Sequence, residues 1–192
     1  MTHLRSIYGG DNVVAGYIEG VPVSDELRYG GPLEVADVTN AAQIAAIVDK
    51  YHIDTVYNLA AILSAQAEKK PLLAWNIQIG GVLNLLEIAR EKGCAVFTPS
   101  SIGAFGASSP HVQTPQETIQ RPQTIYGVSK VTTELLSDYY YHRYGVDTRS
   151  VRFPGLISYV TLPGGQMMPM GNMPGIRTNL PEDVIQNPLS VE

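Results

Sequence analysis

An α/β fold with a doubly wound parallel sheet is the class this chain predicts, on three observations. Short runs rich in Val, Ile, Tyr and Leu alternate with helical runs of roughly ten to twenty residues, the pattern of parallel strands joined by crossover helices. The 192 residues are 44% hydrophobic and 16% charged, enough for one domain with a real core. Polar side chains also gather just after the strand-like runs, where open parallel sheets bind their ligands.

Residues 1–10 read as the last turns of a helix stopped by Gly9-Gly10, because glycine accepts the left-handed conformation past a helix end. Residues 12–18 form a strand, 19–31 a polar loop punctuated by Gly and Pro, and 33–38 a second strand. Asn40 is placed to cap a helix whose Ile44, Ile47, Val48 and Tyr51 share one face. A third strand over 55–59 runs on through Ala60, Ala61, Ile62 and Leu63 to Ser64. A long helix over 71–90 carries Leu72, Trp75, Ile79, Val82, Leu83 and Leu86 as a stripe. Inside it, Gly80 and Gly81 each cost about 1 kcal/mol relative to alanine, so close approach of that helix to a sheet or ligand is expected.

After Gly93, residues 94–98 form the fourth strand, ending at Pro99, Ser100 and Ser101. Residues 102–124 are irregular and rich in Gly, Pro, Ser and Thr, and so long a loop in a compact domain points to function. A helix over 125–144 stops at Gly145 and leads into a last strand over 148–153. From Gln166 onward Met, Pro, Asn and Gly follow no period. The expected division is a domain over 1–165 and an irregular or disordered tail over 166–192, with a capped helical turn at 179–184.

Net charge is −5 and the Lys and Arg residues are scattered, which argues against a nucleic-acid or anionic-membrane partner. A lone Cys94 excludes an internal disulfide and fits a reducing compartment. No run of apolar residues approaches the roughly 18–20 needed to cross a bilayer. The first residues are too short and polar for a signal peptide. A soluble, intracellular protein is expected.

Candidate chemistry centres on Tyr126 and Lys130. At about 3.6 residues per helical turn, positions i and i+4 share a face, so the phenol and the ammonium can serve one site. A free tyrosine hydroxyl has a pKa of about 10, too high for a base at neutral pH, and a nearby cation favours its phenolate. Ser64 follows the third strand, and Ser100 and Ser101 follow the fourth. A serine hydroxyl there can hold a substrate oxygen while a phenolate removes its proton.

Four segments resemble, in order and spacing, the extended short-chain dehydrogenase/reductase family. They are Asn58-Leu-Ala-Ala61, Pro99-Ser-Ser-Ile-Gly-Ala-Phe-Gly106, Tyr126-Gly-Val-Ser-Lys130 and Arg152-Phe-Pro-Gly155. Within that family, Ala60-Ala-Ile-Leu-Ser-Ala65, Ala74-Trp-Asn76, Tyr144-Gly-Val-Asp147 and Pro154-Gly-Leu-Ile-Ser158 are most similar to the NAD-dependent L-threonine 3-dehydrogenases. The resemblance runs over 4–165 and implies a Rossmann-like domain that binds NAD. It implies Tyr126 as the base taking the proton from the substrate hydroxyl, and Lys130 as holder of the nicotinamide ribose and depressor of the Tyr126 pKa. Ser101 would hydrogen-bond the reacting oxygen, Ser64 would contact threonine, and Asn76 would support the site through water. Asp37 and Val38 would flank the adenine, Leu59, Ala60 and Ala61 would line the cofactor, and Pro154, Leu156 and Ile157 would border the nicotinamide. The implied reaction oxidises L-threonine at its 3-hydroxyl to 2-amino-3-oxobutyrate, with no metal. The implied partner is a second copy, through helices 71–90 and 125–144, and the implied compartment is the cytoplasm or the mitochondrial matrix. A nucleotide-sugar epimerase or dehydratase of the same family is the alternative, and a non-catalytic interaction module another.

Three departures from the family pattern carry expectations of their own. The family opens with a strand and a G-x-x-G-x-x-G turn that cradles the pyrophosphate, and this sequence starts after that point. Gly103-Ala-Phe-Gly106 follows the wrong strand and is not followed by a helix, so it is no substitute. The missing strand would leave two unpaired edges at the centre of the sheet and weaken NAD binding and turnover. Tyr17 stands where the family places an acid for the adenosine ribose, and Met167 and Met168 where small hydroxyl residues belong. Most of the small carboxy-terminal substrate domain is absent as well.

Overall fold

The structure is a computed structural model that describes residues 33–154 together with strand segments 4–5 and 15–17. Contacts divide the chain into Met1–Arg152 and Phe153–Glu192, and of the second part only Phe153 and Pro154 are described. Leu156, Ile157, Met167, Met168 and the expected tail over 166–192 lie outside the described residues.

Six strands form one sheet in the order β3-β2-β1-β4-β5-β7, where β1 is Leu4–Arg5, β2 Ala15–Tyr17, β3 Leu33–Val35, β4 Thr55–Asn58, β5 Ala95–Phe97 and β7 Thr148–Arg149. β2 pairs parallel with β3, and β4 with β5 and β5 with β7 likewise. The strand order runs outward in opposite directions from β1, which puts the switch point, where such sheets bind ligands beyond the strand ends, between β1 and β4.

That central position corrects two expectations. Residues 1–10 do not end a helix throughout, because Leu4–Arg5 is a strand. The centre of the sheet is also not left open: Leu4 lies opposite Gly16 on one side and Asn58 on the other, and Arg5 opposite Ala15 and Tyr57. β1 runs antiparallel to both neighbours, so it satisfies two positions of each ladder in a sheet whose other pairings are all parallel. A vacant pair of edges exposes unpaired amides and carbonyls, and even a short reversed segment removes some of that cost.

Helix α1, Ala41–Tyr51, starts where expected, with Asn40 Oδ1 accepting the Gln43 amide at 3.1 Å. Its Ile44, Ile47 and Val48 are buried, as their spacing predicts, and Tyr51 packs against them. The third strand ends at Asn58, and Ser64–Lys69 forms a separate short helix, α2, that the sequence reading missed. Lys70, preceding Pro71, leaves the helical region with φ −137° and ψ 65° and breaks the chain between α2 and α3, Pro71–Trp75.

The long helix is likewise not uniform. α3 passes through a π-helical turn, Asn76–Gly80, into α4, Gly81–Lys92. Gly81 explains itself there, since a Cβ at that position would sit 2.7 Å from a Val38 methyl. The expected stripe splits: Ile79, Val82 and Leu86 are buried, while Leu72, Trp75 and Leu83 are exposed. By length and composition Pro71–Lys92 is apolar enough to cross a membrane, contrary to the expectation that no run approached that length. Half of its most apolar window is buried inside the protein, which accounts for that apolarity by packing.

α4 lies between α1 and α5, Ile125–Tyr144, and packs on both. The core gathers Val56 of β4 and Val96 of β5, opposite each other in register, with Ile44, Val48, Leu85, Leu86 and Ile88. On alternate positions of the same two strands the Tyr57 and Phe97 rings pair at 5.4 Å. The final expected strand divides into β7 and β8, Arg152–Phe153.

Candidate active site

Beyond the carboxyl ends of β4 and β5 the chain makes two short excursions that meet the start of α5. After β5, Thr98 and Pro99 lead into strand β6, Ser100–Ser101, and a 3-10 turn, Ile102–Ala104. The remaining loop to Thr124 contains no helix or strand, as its composition predicts. α5 begins at Ile125 because Thr124 is extended and its hydroxyl accepts the Gly127 amide at 3.0 Å. Glu68 of α2 adds a second cap, its carboxylate accepting the Ile125 amide at 2.7 Å.

The first turn of α5 and the 3-10 turn touch backbone to backbone. A Cβ on Gly127 would lie 2.3 Å from the Gly103 carbonyl oxygen, so only glycine permits this approach. A Cβ on Gly103 would in turn lie 3.3 Å from the Tyr126 ring and 3.4 Å from Ser101 Oγ. Ser101 and Tyr126 therefore flank one small gap. Ser101 Oγ is oriented by accepting the Gly103 amide at 3.1 Å.

Lys130 completes the group. It is 8% exposed, its ammonium lies 5.4 Å from the Tyr126 ring centroid, and it donates to the Pro99 carbonyl at 2.7 Å. Burial pulls its pKa down from 10.5 to about 8, and the Glu134 charge works in the opposite direction. Ser129 links the same turn to the π-helical segment. Its hydroxyl donates to the Tyr126 carbonyl at 2.7 Å and accepts from Gln78 Nε2, while Gln78 Oε1 is buried without a partner.

The remaining sequence candidates are more dispersed. Ser64 is exposed in the first turn of α2, Leu59 is exposed, and Ala60 is buried with its amide held by Asn58 Oδ1 at 3.1 Å. Ala61 is half-buried. Asn76 is exposed on the π-helical turn, and its Oδ1 lies 3.3 Å from a Cβ placed on Gly80. Asp37 is exposed, and its Oδ1 accepts from both the amide and the hydroxyl of Thr39. Val38 points into the core against Gly81, and its carbonyl accepts from Asn84 Nδ2 at 3.0 Å. Pro154 is exposed. Among the described residues no three His, Cys, Asp or Glu side chains cluster for a metal ion.

Sequence reasoning missed Glu134 and Arg152. Their side chains pair at 2.7 Å with 14% and 18% exposure, and the carboxylate also accepts from Ser100 Oγ and from Gln120 Nε2 at 3.0 Å. Burial opposes the Glu134 charge, yet its bonds to Arg152, Ser100 and Gln120 prevail and hold its pKa below the usual carboxylate value. The one available signal was its position four residues after Lys130, on the same helix face.

Comparison with known proteins places this arrangement in context. A family model described as GDP-mannose 4,6 dehydratase matches residues 15–154. An epimerase/dehydratase of Staphylococcus haemolyticus is 57% identical over 161 residues, covering 84% of this chain and 50% of the relative. Among solved structures, an L-threonine dehydrogenase from Clostridium difficile matches with a TM-score of 0.72 and 55% identity, over 79% of this chain and 47% of its own. The holo form of an L-threonine dehydrogenase from Cupriavidus necator matches with a TM-score of 0.70 and 45% identity, over 74% and 46% of the two chains. The chain spans about half the length of the curated relatives it matches.

Proposed function

Because the chain belongs to the GDP-mannose 4,6 dehydratase family, an epimerase/dehydratase branch of the extended short-chain dehydrogenases/reductases, we propose that it derives from an NAD-dependent oxidation of L-threonine at the 3-hydroxyl. The observation that carries the reading is the convergence of Ser101, Tyr126 and Lys130 on the gap beside Gly103. Its substrate class is supported by the identity to the C. difficile and C. necator threonine dehydrogenases.

In this reading Ser101 Oγ hydrogen-bonds the threonine hydroxyl and the Tyr126 phenolate takes its proton. The Lys130 ammonium lowers the cost of that phenolate. NAD, when bound, supplies the hydride acceptor, so the balanced products are 2-amino-3-oxobutyrate, NADH and a proton. The residues present fit the nicotinamide half of that cofactor. Lys130 offers a buried cation with donors beyond the one used on Pro99, and Leu59 exposes apolar surface at the carboxyl end of β4. Asp37 and Ala61 are the candidates for the remainder.

Exposed Leu72, Trp75 and Leu83 on one helical layer and Leu135 and Tyr139 on α5 support a homodimer through those helices. A cytoplasmic or mitochondrial-matrix location goes with the same reading. A nucleotide-sugar epimerase or dehydratase is the second reading, favoured by the description of the matching family model.

The test is a titration of the chain with NAD, followed by fluorescence detection of NADH on adding L-threonine and by product analysis on adding a panel of nucleotide sugars, since epimerisation and dehydration return the hydride and accumulate no NADH. Threonine-dependent NADH that disappears in Tyr126→Phe supports the first reading. Turnover of a sugar nucleotide alone moves the assignment to the second, and no detectable NAD binding at millimolar concentration removes both.

A further inference from the structure

The Glu134 carboxylate is more heavily engaged than a surface ion pair requires. Arg152 donates to it three times, from Nε at 3.0 and 3.2 Å and from Nη2 at 2.7 Å. Gln120 Nε2 donates at 3.0 Å, and the Ser100 hydroxyl donates as well. Arg152 also reaches the Gln116 carbonyl through Nη1 at 2.8 Å, and its guanidinium lies 5.1 Å from the Phe105 ring centroid. One carboxylate on α5 is thus joined to β6, to both ends of the 116–120 stretch, and to the strand at Arg152.

Stability alone is a poor reason for such a cluster, because a buried ion pair is often no better than well-packed apolar residues of the same size. Its specific product is geometry. β6 is only two residues long, and Ser100 is held by its amide on the Val151 carbonyl at 2.9 Å and by its hydroxyl on Glu134. Ser101, the next residue, is thereby fixed from one side by Glu134 and from the other by the Gly103 amide. Glu134 also stands one helical turn beyond Lys130 on the same face of α5. The Lys130 ammonium touches the Tyr126 ring and the Pro99 carbonyl, and the Glu134 carboxylate acts on it through its charge from the next turn.

We propose that Glu134 is a positioning residue for the Ser101–Tyr126–Lys130 site: it clamps the Ser100–Ser101 strand and the 116–120 stretch to α5, and it sets a negative charge one helical turn from Lys130. Arg152 is the counter-charge that keeps the clamp ionised. The proposal rests on reading Tyr126 and Lys130 as the reacting pair.

The experiment compares the full chain with its Glu134→Gln and Glu134→Asp variants by two readouts that need no turnover. The first is the titration of the Lys130 side chain, followed by NMR of ε-13C-labelled lysine and assigned with Lys130→Arg. Glu134→Gln is expected to lower the midpoint by roughly half a pH unit or more, while Glu134→Asp, which keeps the charge, restores it. The second is amide exchange at Ser100, Ser101 and Gly103. Both variants are expected to speed it about tenfold while Leu85 and Leu86 in the core are unchanged. An unshifted Lys130 midpoint in Glu134→Gln overturns the electrostatic half. Faster exchange spread evenly over the core shows a role in stability only and overturns the clamp. Should Glu134→Gln not fold, Gln120→Ala and Glu134→Asp still decide the clamp by exchange, and Lys130 in Glu134→Asp compared with an Arg152→Lys background decides the charge. Turnover is a third readout: with NAD and L-threonine, Glu134→Asp should lower kcat and leave the KM for NAD unchanged. A wild type without turnover counts against the threonine reading and leaves the first two readouts standing.

Discussion

The two flanks of the sheet are held in different ways. On one flank β4, β5 and β7 pair parallel, Val56 and Val96 anchor the core, and α4 and α5 cover them. On the other, β2 and β3 also pair parallel, but they reach the first flank only through β1, two residues that run against both neighbours. The Ser101, Tyr126 and Lys130 group belongs wholly to the first flank. The switch point beside β1, where such sheets bind ligands, depends on the second as well. The comparison teaches that Ser101, Tyr126 and Lys130 are carried by a flank whose own strands pair in parallel without β1. Substitutions on the two flanks should then separate in size and in kind.

The largest effect is expected at Arg152. Arg152→Met removes the partner of a mostly buried carboxylate that remains, a change that costs about 3 kcal/mol in comparable settings. Chemical denaturation should report it, and a loss below about 1 kcal/mol would place the Glu134 cluster in solvent rather than in the fold. Gly127→Ala comes next. Its new methyl would meet the Gly103 carbonyl at 2.3 Å and the Pro122 ring at 2.5 Å, so the 3-10 turn must retreat. A loss of about 2 kcal/mol is expected, together with a change in the environment of Tyr126 visible in its ring resonances.

Lys130 makes the first flank sensitive to pH. Its folded pKa, about 8, lies below the unfolded value near 10.5, so between these limits the unfolded chain binds more protons. Stability therefore rises with pH through that window, and the burden is fully present below it. The difference in unfolding free energy between wild type and Lys130→Met should move by roughly 3 kcal/mol in favour of wild type from below pH 8 to above pH 10.5. A flat difference would mean that water reaches the ammonium and that burial does not set its pKa.

How much of this was legible in the residues also follows the flanks. α5 was read with its true ends, because Thr124 and Gly145 are unambiguous cap residues, and Asn40 announced α1 in the same way. Tyr126 and Lys130 were found by spacing and Ser101 by its place after the fourth strand and by the family resemblance, and the structure brings the three together. The π-helical turn at Asn76–Gly80 was not legible, since nothing in its composition forces the wider turn. Its surroundings do: Gly81 abuts Val38, and Gln78 is drawn to Ser129 on another helix. Glu134 was missed because its partners lie fourteen and eighteen residues away in sequence and meet it only in the folded chain. β1 was missed for a related reason. Leu4 and Arg5 carry no strand pattern of their own, and they pair because β2 and β4 present unpaired edges.

That last point gives the smallest prediction and the most direct test of the comparison. Proline in a true central strand removes a ladder hydrogen bond and is strongly disfavoured. Arg5→Pro should nevertheless cost only about 1 kcal/mol, because β1 contributes two paired positions to each neighbour and no more. Amide exchange at Tyr57 and Asn58 should quicken while Val96 and Phe97, on the far side of β4, keep their protection. A thermal shift of only about 2–4 °C goes with that cost. If Arg5→Pro instead unfolds the chain, β1 holds the two flanks together as a full central strand would. The first flank would then have no independence, and Ser101, Tyr126 and Lys130 would owe their positions to Leu4–Arg5 as much as to the loop and helix that carry them.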